Sequence, residues 1–532
     1  MAFRNVFVDI VISFLLILTT VFFAQYFVDF SITPFEDAAM LMRYASHFSE
    51  GHGIVWNIGE APVDGATDFL FMVVVGLLAR AGFSVESVVR AVGFSAHLMT
   101  ILVIYMTFRR IHGSGIYSAT LSSLYFAIGP GLFFVAAYFG TPFFTLAVCM
   151  TWMQAMTVIA QPDSAVKRVA FSVLSLLMGL IRPEGVFLAA FMLLSLITIL
   201  GFEKSKPTVL AFLLIYALLG GAYFFWRWHY FGYPLPNPFY KKGGGLLYPQ
   251  SLQDSVKYVR RLCLPFMPVF LPGICCKEMC KKTIALLIPI IGFTSIWILL
   301  SKEMNFGGRF QYPILPVVLL AWYPLAKELP LEFVLFKRLR SKAGMRRLLV
   351  LIAFVLFMGI LHYQYRCSQR ITYHKDGRYN MAMILQEYHK KGYTIATTEA
   401  GLLPLYSQWR AVDAWGLNDQ WITHNQGITE EYLLKNSPQI LMWHEDRSPG
   451  ISHETPRDLE WLKMLETLRN YAHKHHYELA ASFGELSQKT HIYYVSKNFP
   501  DSQEIIKKIR SVDYFWYQSG RKSTNFALNR QK

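Results

Sequence analysis

Residues 34–68 read PFEDAAMLMRYASHFSEGHGIVWNIGEAPVDGATD, a polar stretch that follows the first apolar run directly and differs from it in character. It opens on the acidic pair Glu36-Asp37 and places Arg43-Tyr44 one to two helical turns later. A glycine turn, Gly51-His52-Gly53, precedes Asn57, Glu60 and Asp64-Gly65. Between Phe35 and Phe48 the apolar residues Ala38, Leu41, Met42, Ala45 and Phe48 have the spacing of one helical face. That spacing predicts a helix lying in the membrane interface, with the acidic pair at the lipid–water boundary. Carboxylates beside lipid are costly unless they have a partner or a task, so this loop is the expected active site.

Outward from the loop the chain is written in apolar runs. Of its 532 residues 54% are hydrophobic and only 16% charged. Many runs reach roughly 20 residues, the length that crosses a bilayer. Val6 to Val28 is too long for a cleaved signal and lacks a small-residue cleavage site, so it reads as an anchor. Further spans are expected near 87–108, 115–136, 142–160, 168–182, 185–200, 208–228, 262–276, 284–300, 311–326 and 347–363, eleven in all. Asp68 to Phe83 is apolar but short, and reads as a peripheral or re-entrant helix on the outer face.

The formal charge of +16 points away from nucleic acid once its placement is considered. Arg109-Arg110, Lys167-Arg168, Lys204 to Lys206, Lys277 to Lys282 and Lys327 to Arg347 mark alternate connections as cytoplasmic. The other connections face outward and carry the motif-like text. The N-terminus is therefore expected inside and the C-terminal region outside. The outer first loop, residues 29–86, holds eight acids against two arginines, which suits a general base or a bound cation. Cations for a phosphate would come from other outward loops, through Arg182, Lys241, Lys242 and Arg309. The six cysteines form no disulfide framework, and Cys275-Cys276 with Cys280 has no matching metal-ligand set.

The division expected is a transmembrane part, 1–365, and a soluble extracytoplasmic part, 366–532. In the second, Tyr393 to Thr398, Arg410 to Trp415, Gln439 to His444, Leu479 to Phe483 and His491 to Ser496 read as strands. Pro456 to His475 reads as an amphipathic helix, and the alternation predicts a small α/β domain. The fold class is thus mostly α, a polytopic helical bundle with an α/β appendage.

Residues from about 30 to 420 resemble, in order, the mycobacterial terminal arabinofuranosyltransferases and their bacterial relatives, membrane glycosyltransferases of the GT-C class. The likeness rests on Glu36-Asp37, Arg43-Tyr44-Ala45, Asn57, Gly59-Glu60 and Asp64-Gly65 in the first loop. It continues through Gly140-Thr141-Pro142-Phe143, Arg182-Pro183-Glu184-Gly185 and Tyr230 to Asn237. Gly307-Gly308-Arg309-Phe310, Glu399-Ala400-Gly401 and Asp413 to Asp419 complete it. The resemblance implies a polyprenyl-phosphate sugar donor and transfer to a cell-envelope glycan outside the cytoplasmic (inner) membrane of a bacterium. The chain departs from the family at Glu36, at Val63-Asp64-Gly65-Ala66-Thr67 and at Arg309, where relatives carry an aspartate. The class is implied and the donor sugar is not.

Displacement at an anomeric carbon needs a carboxylate to take the acceptor proton and cations to hold the leaving phosphate. Asp37 is the expected base and Glu36 its competitor, capping of the helix N-terminus being the structural alternative. Arg182, Lys241, Lys242 and Arg309 are expected at the donor phosphate, against ion pairing with Glu184 for Arg182 and lipid headgroup contact for the lysines. Arg43, Tyr44, Asn57, Glu60, Asp64, Glu184, Asn237, Asp413 and Asp419 are candidates for sugar or acceptor contacts. Arg43 could also orient the acidic pair, against a solvated salt bridge, with turn formation the alternative for Asn57 and domain folding for Asp413 and Asp419. The carboxylate pair could also hold Mg²⁺ or Mn²⁺, although basic side chains suffice for a monophosphate, so the metal stays undetermined. Two other readings stand beside the enzyme: a transporter, which would place ionisable residues mid-span, and a membrane scaffold whose outer domain binds glycan.

Overall fold

The structure, a computed structural model, describes residues 2–242, 247–301, 305–329, 343–368, 376–445, 456–487 and 489–529. The basic connection expected from Lys327 to Arg347 falls largely outside them. The chain is mostly helical and ends in one mixed sheet.

Six helical stretches among the described residues are long and apolar enough to cross a membrane: Val6–Phe27, Val85–Ile111, Ile116–Ala136, Thr141–Ala160, Phe202–Phe231 and Lys277–Ile298. This is a multi-pass membrane protein. The elements are α1 (Ala2–Phe27), α2 (Glu36–Ser49), α3 (Phe69–Ala79), α4 (Val85–Met106), α5 (Ile116–Ala127), α6 (Gly131–Ala136), α7 (Thr141–Ala160), α8 (Ala165–Ile181) and α9 (Glu184–Leu200). They continue with α10 (Phe202–Ile215), α11 (Gly221–Phe231), α12 (Asn237–Lys242), α13 (Pro249–Cys263), α14 (Met267–Cys275), α15 (Lys277–Ser295) and α16 (Leu315–Glu328), and a helix over Ala343–Ser368 follows. α16 sits centrally: Leu315 to Ala321 are all buried, as an all-round apolar helix must be.

Two expectations need correction. The span expected at 262–276 is not one helix. Pro265, Pro268 and Pro272 divide it, and α14 has only nine residues, about 14 Å of rise. Its neighbour α13 is amphipathic and carries Arg260-Arg261 in its last turn.

The second correction concerns α2. Its helix is where the periodicity puts it, but it does not lie half in lipid. Glu36, Ala38 to Ala45 and His47 are all buried, because α3 and α4 cover one side and the short helix Leu402–Ser407 covers another. A helix wrapped on both sides needs no polar face toward water, and its charged residues must find protein partners instead. α3 has 11 residues, shorter than a span, in keeping with the short helix expected there.

The C-terminal strands are β1 (Thr394–Thr397), β2 (Arg410–Asp413), β3 (Ile440–His444), β4 (Tyr477–Leu486), β5 (Lys489–Ser496) and β6 (Thr524–Asn525), in the order β2-β1-β3-β5-β4-β6. β1 runs parallel to β2 and β3, and the remaining pairs are antiparallel. Alternation assigns the faces. Ile395, Ile440 and Met442 join the core continuous with the membrane helices, while Ala396, Leu441 and Trp443 pack under the helix Pro456–Lys474. With both faces covered, β1 and β3 are buried throughout.

Candidate active site

A cavity of about 400 Å³ lies where helix ends of the membrane part meet the first loop and the C-terminal sheet region. Its charged wall comes from four separate places in the chain. Asp37 stands in the first turn of α2, Asp68 at the start of α3, Arg182 at the end of α8, Glu184 at the start of α9, and Arg309 after the turn Phe306–Gly308. Lys242, closing α12, also lines the cavity. Leu41, Phe187, Leu235, Phe239, Trp297, Leu299 and Phe310 make the rest largely apolar.

The charges are interleaved. Arg309 donates from Nη2 to Asp37 Oδ2. Arg182 reaches Asp68 Oδ1 at 2.8 Å through Nη1 and Glu184 Oε1 at 2.8 Å through Nη2. Three carboxylates thus share two guanidiniums at one wall. Aromatic rings carry the guanidiniums: Arg309 lies 4.3 Å from the Phe139 ring centroid and 4.8 Å from Phe310, and Arg182 lies 5.3 Å from Phe310. Burial pushes the Asp68 carboxyl up against the pull of Arg182. Burial likewise lowers Arg309, so a buried anion near it is favoured. The N-termini of α2, α3 and α9 also open here, adding their positive dipole ends.

Gly308 fixes how Arg309 enters. Its φ of +74° is left-handed, and a Cβ there would lie 2.0 Å from the Tyr258 ring. Tyr258, on α13, also donates to Gly307 O at 2.6 Å. The Gly-Gly pair therefore lets α13 press on the turn that aims Arg309.

Most other sequence candidates lie elsewhere. Glu36 is not on the cavity wall: Oε1 accepts from the Gly401 and Leu402 amides and Oε2 faces Arg378 at 3.3 Å. Burial pushes Glu36 up to about 8, while Arg378 holds Glu399 below its usual range despite burial. Adjacent in sequence, Glu36 and Asp37 go to different partners, Arg378 and Arg309. The two carboxylates thus point to separate partners rather than to one shared point, where a pair could have held Mg²⁺ or Mn²⁺.

Arg43 donates to three carbonyls, Trp56 O at 2.9 Å, Trp409 O at 2.9 Å and Pro404 O, and to Asn57 Oδ1 at 3.1 Å. Tyr44 donates to Asn418 Oδ1 at 3.0 Å. Asn57 pairs with both the N–H and the C=O of Ala411 on the edge strand β2, and Glu60 takes Arg410 at 2.6 Å. Asp64 is held by Arg227 through two guanidinium nitrogens. Asn237 binds Gly416 O and Leu417 O, and Lys241 pairs with Glu460 beside the Trp415 ring. Asp413 accepts from the amides of Trp415, Gly416 and Asn418, and Asp419 caps Gln420–His424. In this structure Arg43, Tyr44, Asn57 and Glu60 fasten the first loop to the sheet region, and Asn237 and Lys241 fasten α12 to it. Asp64 ties the loop to α11, and Asp413 and Asp419 shape their own loop.

Three participants escaped the sequence reading. Asp68 stood only as one acid among eight, although an acid heading an apolar helix is itself a signal. Arg227 is a lone arginine within an apolar span, which asks for a partner. Arg378 has no local signature.

Comparison with known proteins agrees with this architecture. Residues 364–502 match a family model described as a domain of unknown function, DUF8728. No curated protein matches the chain. Among solved structures, the chain is similar to the oligosaccharyltransferase of Archaeoglobus fulgidus in its apo form, at 12% identity and a TM-score of 0.53, over 92% of this chain and 75% of that one. It is similar to ArnT of Cupriavidus metallidurans in the apo state, at 13% identity and a TM-score of 0.50, over 93% and 98% of the two chains. For ArnT bound to undecaprenyl phosphate the identity is 11% and the TM-score 0.51, over 93% and 99%. The fold is that of GT-C membrane glycosyltransferases.

Proposed function

We propose that the protein is a membrane glycosyltransferase that moves a sugar from a polyprenyl-phosphate donor to a cell-envelope glycan, with inversion at the anomeric carbon. The observation that carries this reading is the Asp37–Arg309 pair on the charged wall of a cavity that is otherwise apolar. Phe187, Phe239 and Leu299 line the cavity and are also exposed on the surface, an arrangement suited to an isoprenoid chain entering from lipid. The undecaprenyl phosphate bound to ArnT is a lipid of this kind.

The donor phosphate competes with Asp37 for Arg309. As it settles on Arg309, with Arg182 and Lys242 nearby, Asp37 is released and becomes a free carboxylate. The acceptor O–H gives its proton to Asp37, its oxygen bonds to the anomeric carbon, and the bond from that carbon to the phosphate oxygen breaks. The leaving polyprenyl phosphate keeps the electron pair and is held by the cations. One displacement inverts the centre. Asp68 and Glu184 orient Arg182, while Glu36 anchors α2 rather than acting on substrate. Basic connections support an outer position for the cavity and the sheet region, with the N-terminus inside.

The test is transfer from a panel of synthetic polyprenyl-phosphate sugars to envelope glycan, comparing wild type with Asp37→Asn and Glu36→Gln. The expected result is transfer by wild type and by Glu36→Gln but not by Asp37→Asn. Full activity in Asp37→Asn would overturn the base assignment. Failure of wild type with every donor would overturn the function.

A further inference from the structure

Behind the anchor of α2, and apart from the cavity, three metal-ligand side chains converge inside the sheet region. His444 closes β3 and His491 opens the facing part of β5, and the antiparallel register sets the two directly opposite each other. Glu399 follows β1, the other neighbour of β3. One ligand atom from each lies within 4.8 Å of the others. All three are buried, His491 completely.

The imidazoles point to a ligand. Nε2 of His444 and Nε2 of His491 are both buried without a hydrogen-bond partner, a costly state for each of two facing imidazoles. His491 Nδ1 meets the Tyr514 hydroxyl at 2.7 Å, the kind of outer contact that fixes a ring so that its other nitrogen can coordinate. Of the two Glu399 oxygens, Oε2 is taken by Arg378 and Oε1 faces His444 Nδ1 at 3.7 Å, beyond hydrogen-bond length. At Arg378 two carboxylates, Asp376 and Glu399, meet one guanidinium, with the carboxyl of Glu36, which burial pushes up, beside them. That excess of negative charge favours one further cation.

We propose that Glu399, His444 and His491 form a binding site for a divalent transition metal of the zinc class. Two imidazoles and one carboxylate are a borderline-soft set that suits Zn²⁺ better than Mg²⁺ or Ca²⁺. Ligand bonds of about 2.0–2.2 Å require the three groups to close slightly on the ion. The site cross-links β1, β3 and β5 next to Arg378, and so braces the contact that holds the first turn of α2.

The experiment uses the full-length protein in detergent, without a polyhistidine tag. It is stripped with chelator, loaded with Zn²⁺ or Co²⁺ and desalted. The expected result is one metal per chain, a visible d–d band for Co²⁺, and two imidazole ligands in the X-ray absorption of the zinc-loaded wild type. His444→Gln and His491→Gln should each weaken Co²⁺ binding by at least about 100-fold. Wild type that retains no metal, or a zinc spectrum with fewer than two imidazoles, would overturn the site without any variant needing to fold. Unchanged binding in the folded double variant would do the same.

Discussion

Asp37 and Arg309, 272 residues apart in the chain, form an ion pair at the cavity wall, with both side chains largely buried. Removing one member of such a pair strands the other, whereas removing both is mild. Asp37→Asn is expected to lower turnover by about 10²–10⁴-fold and to cost about 3 kcal/mol. Asp37→Asn/Arg309→Gln should regain most of the thermal stability and none of the turnover. A double variant with restored transfer would show that the pair is structural only.

Asp64 and Arg227 give the opposite pattern. Their bidentate pair ties the first loop to α11 away from the charged wall. Arg227→Met is expected to cost about 3–5 kcal/mol by leaving Asp64 buried and uncompensated. Asp64→Asn/Arg227→Met should cost far less. Melting in detergent reads both, and the double variant should keep kcat within a few-fold of wild type.

Gly308→Ala should misplace Arg309. The added methyl meets the Tyr258 ring and sits on a left-handed backbone, a strain of roughly 1–3 kcal/mol. Donor binding is expected to weaken, read as a raised KM for the lipid donor. The spectroscopic signature of the C-terminal sheet should stay unchanged, since the strain falls on Tyr258 of α13.

His47 gives a pH signature. Burial, with Arg43 nearby, lowers it from 6.5 to about 4. As pH falls from 6.5, the unfolded chain takes up this proton before the folded one does. Its contribution to stability is therefore complete above pH 6.5 and is lost as pH falls through 4. Melting of His47→Gln should decline less steeply than wild type across that window. Parallel curves would remove His47 from the account.

Much of the fold was legible in the residues. β1, β2, β3 and the helix Pro456–Lys474 fall almost where strand composition and apolar spacing put them. Each expected span contains helix, although α14 is cut short by prolines whose effect the apolar composition concealed. The site was less legible. Asp37, Arg182, Glu184, Lys242 and Arg309 come together at one cavity, while Glu36, Arg43, Asn57, Asp64, Lys241 and Asp413 bind other parts of the protein. Residue type alone does not separate these groups, because a carboxylate or guanidinium that fastens two segments looks the same in sequence as one that meets a substrate.

Sequence by itself determined the class of this chain. Apolar runs of bilayer length must become helices, since lipid offers the backbone no hydrogen bonds, and short runs rich in β-branched, aromatic and apolar residues between turn signals become strands. Only the tertiary structure decided which neighbour each charge received. Glu36 and Asp37 are adjacent in sequence, yet successive positions on a helix point about 100° apart. One carboxylate therefore turns to Arg378 and the sheet, and the other to Arg309 and the cavity.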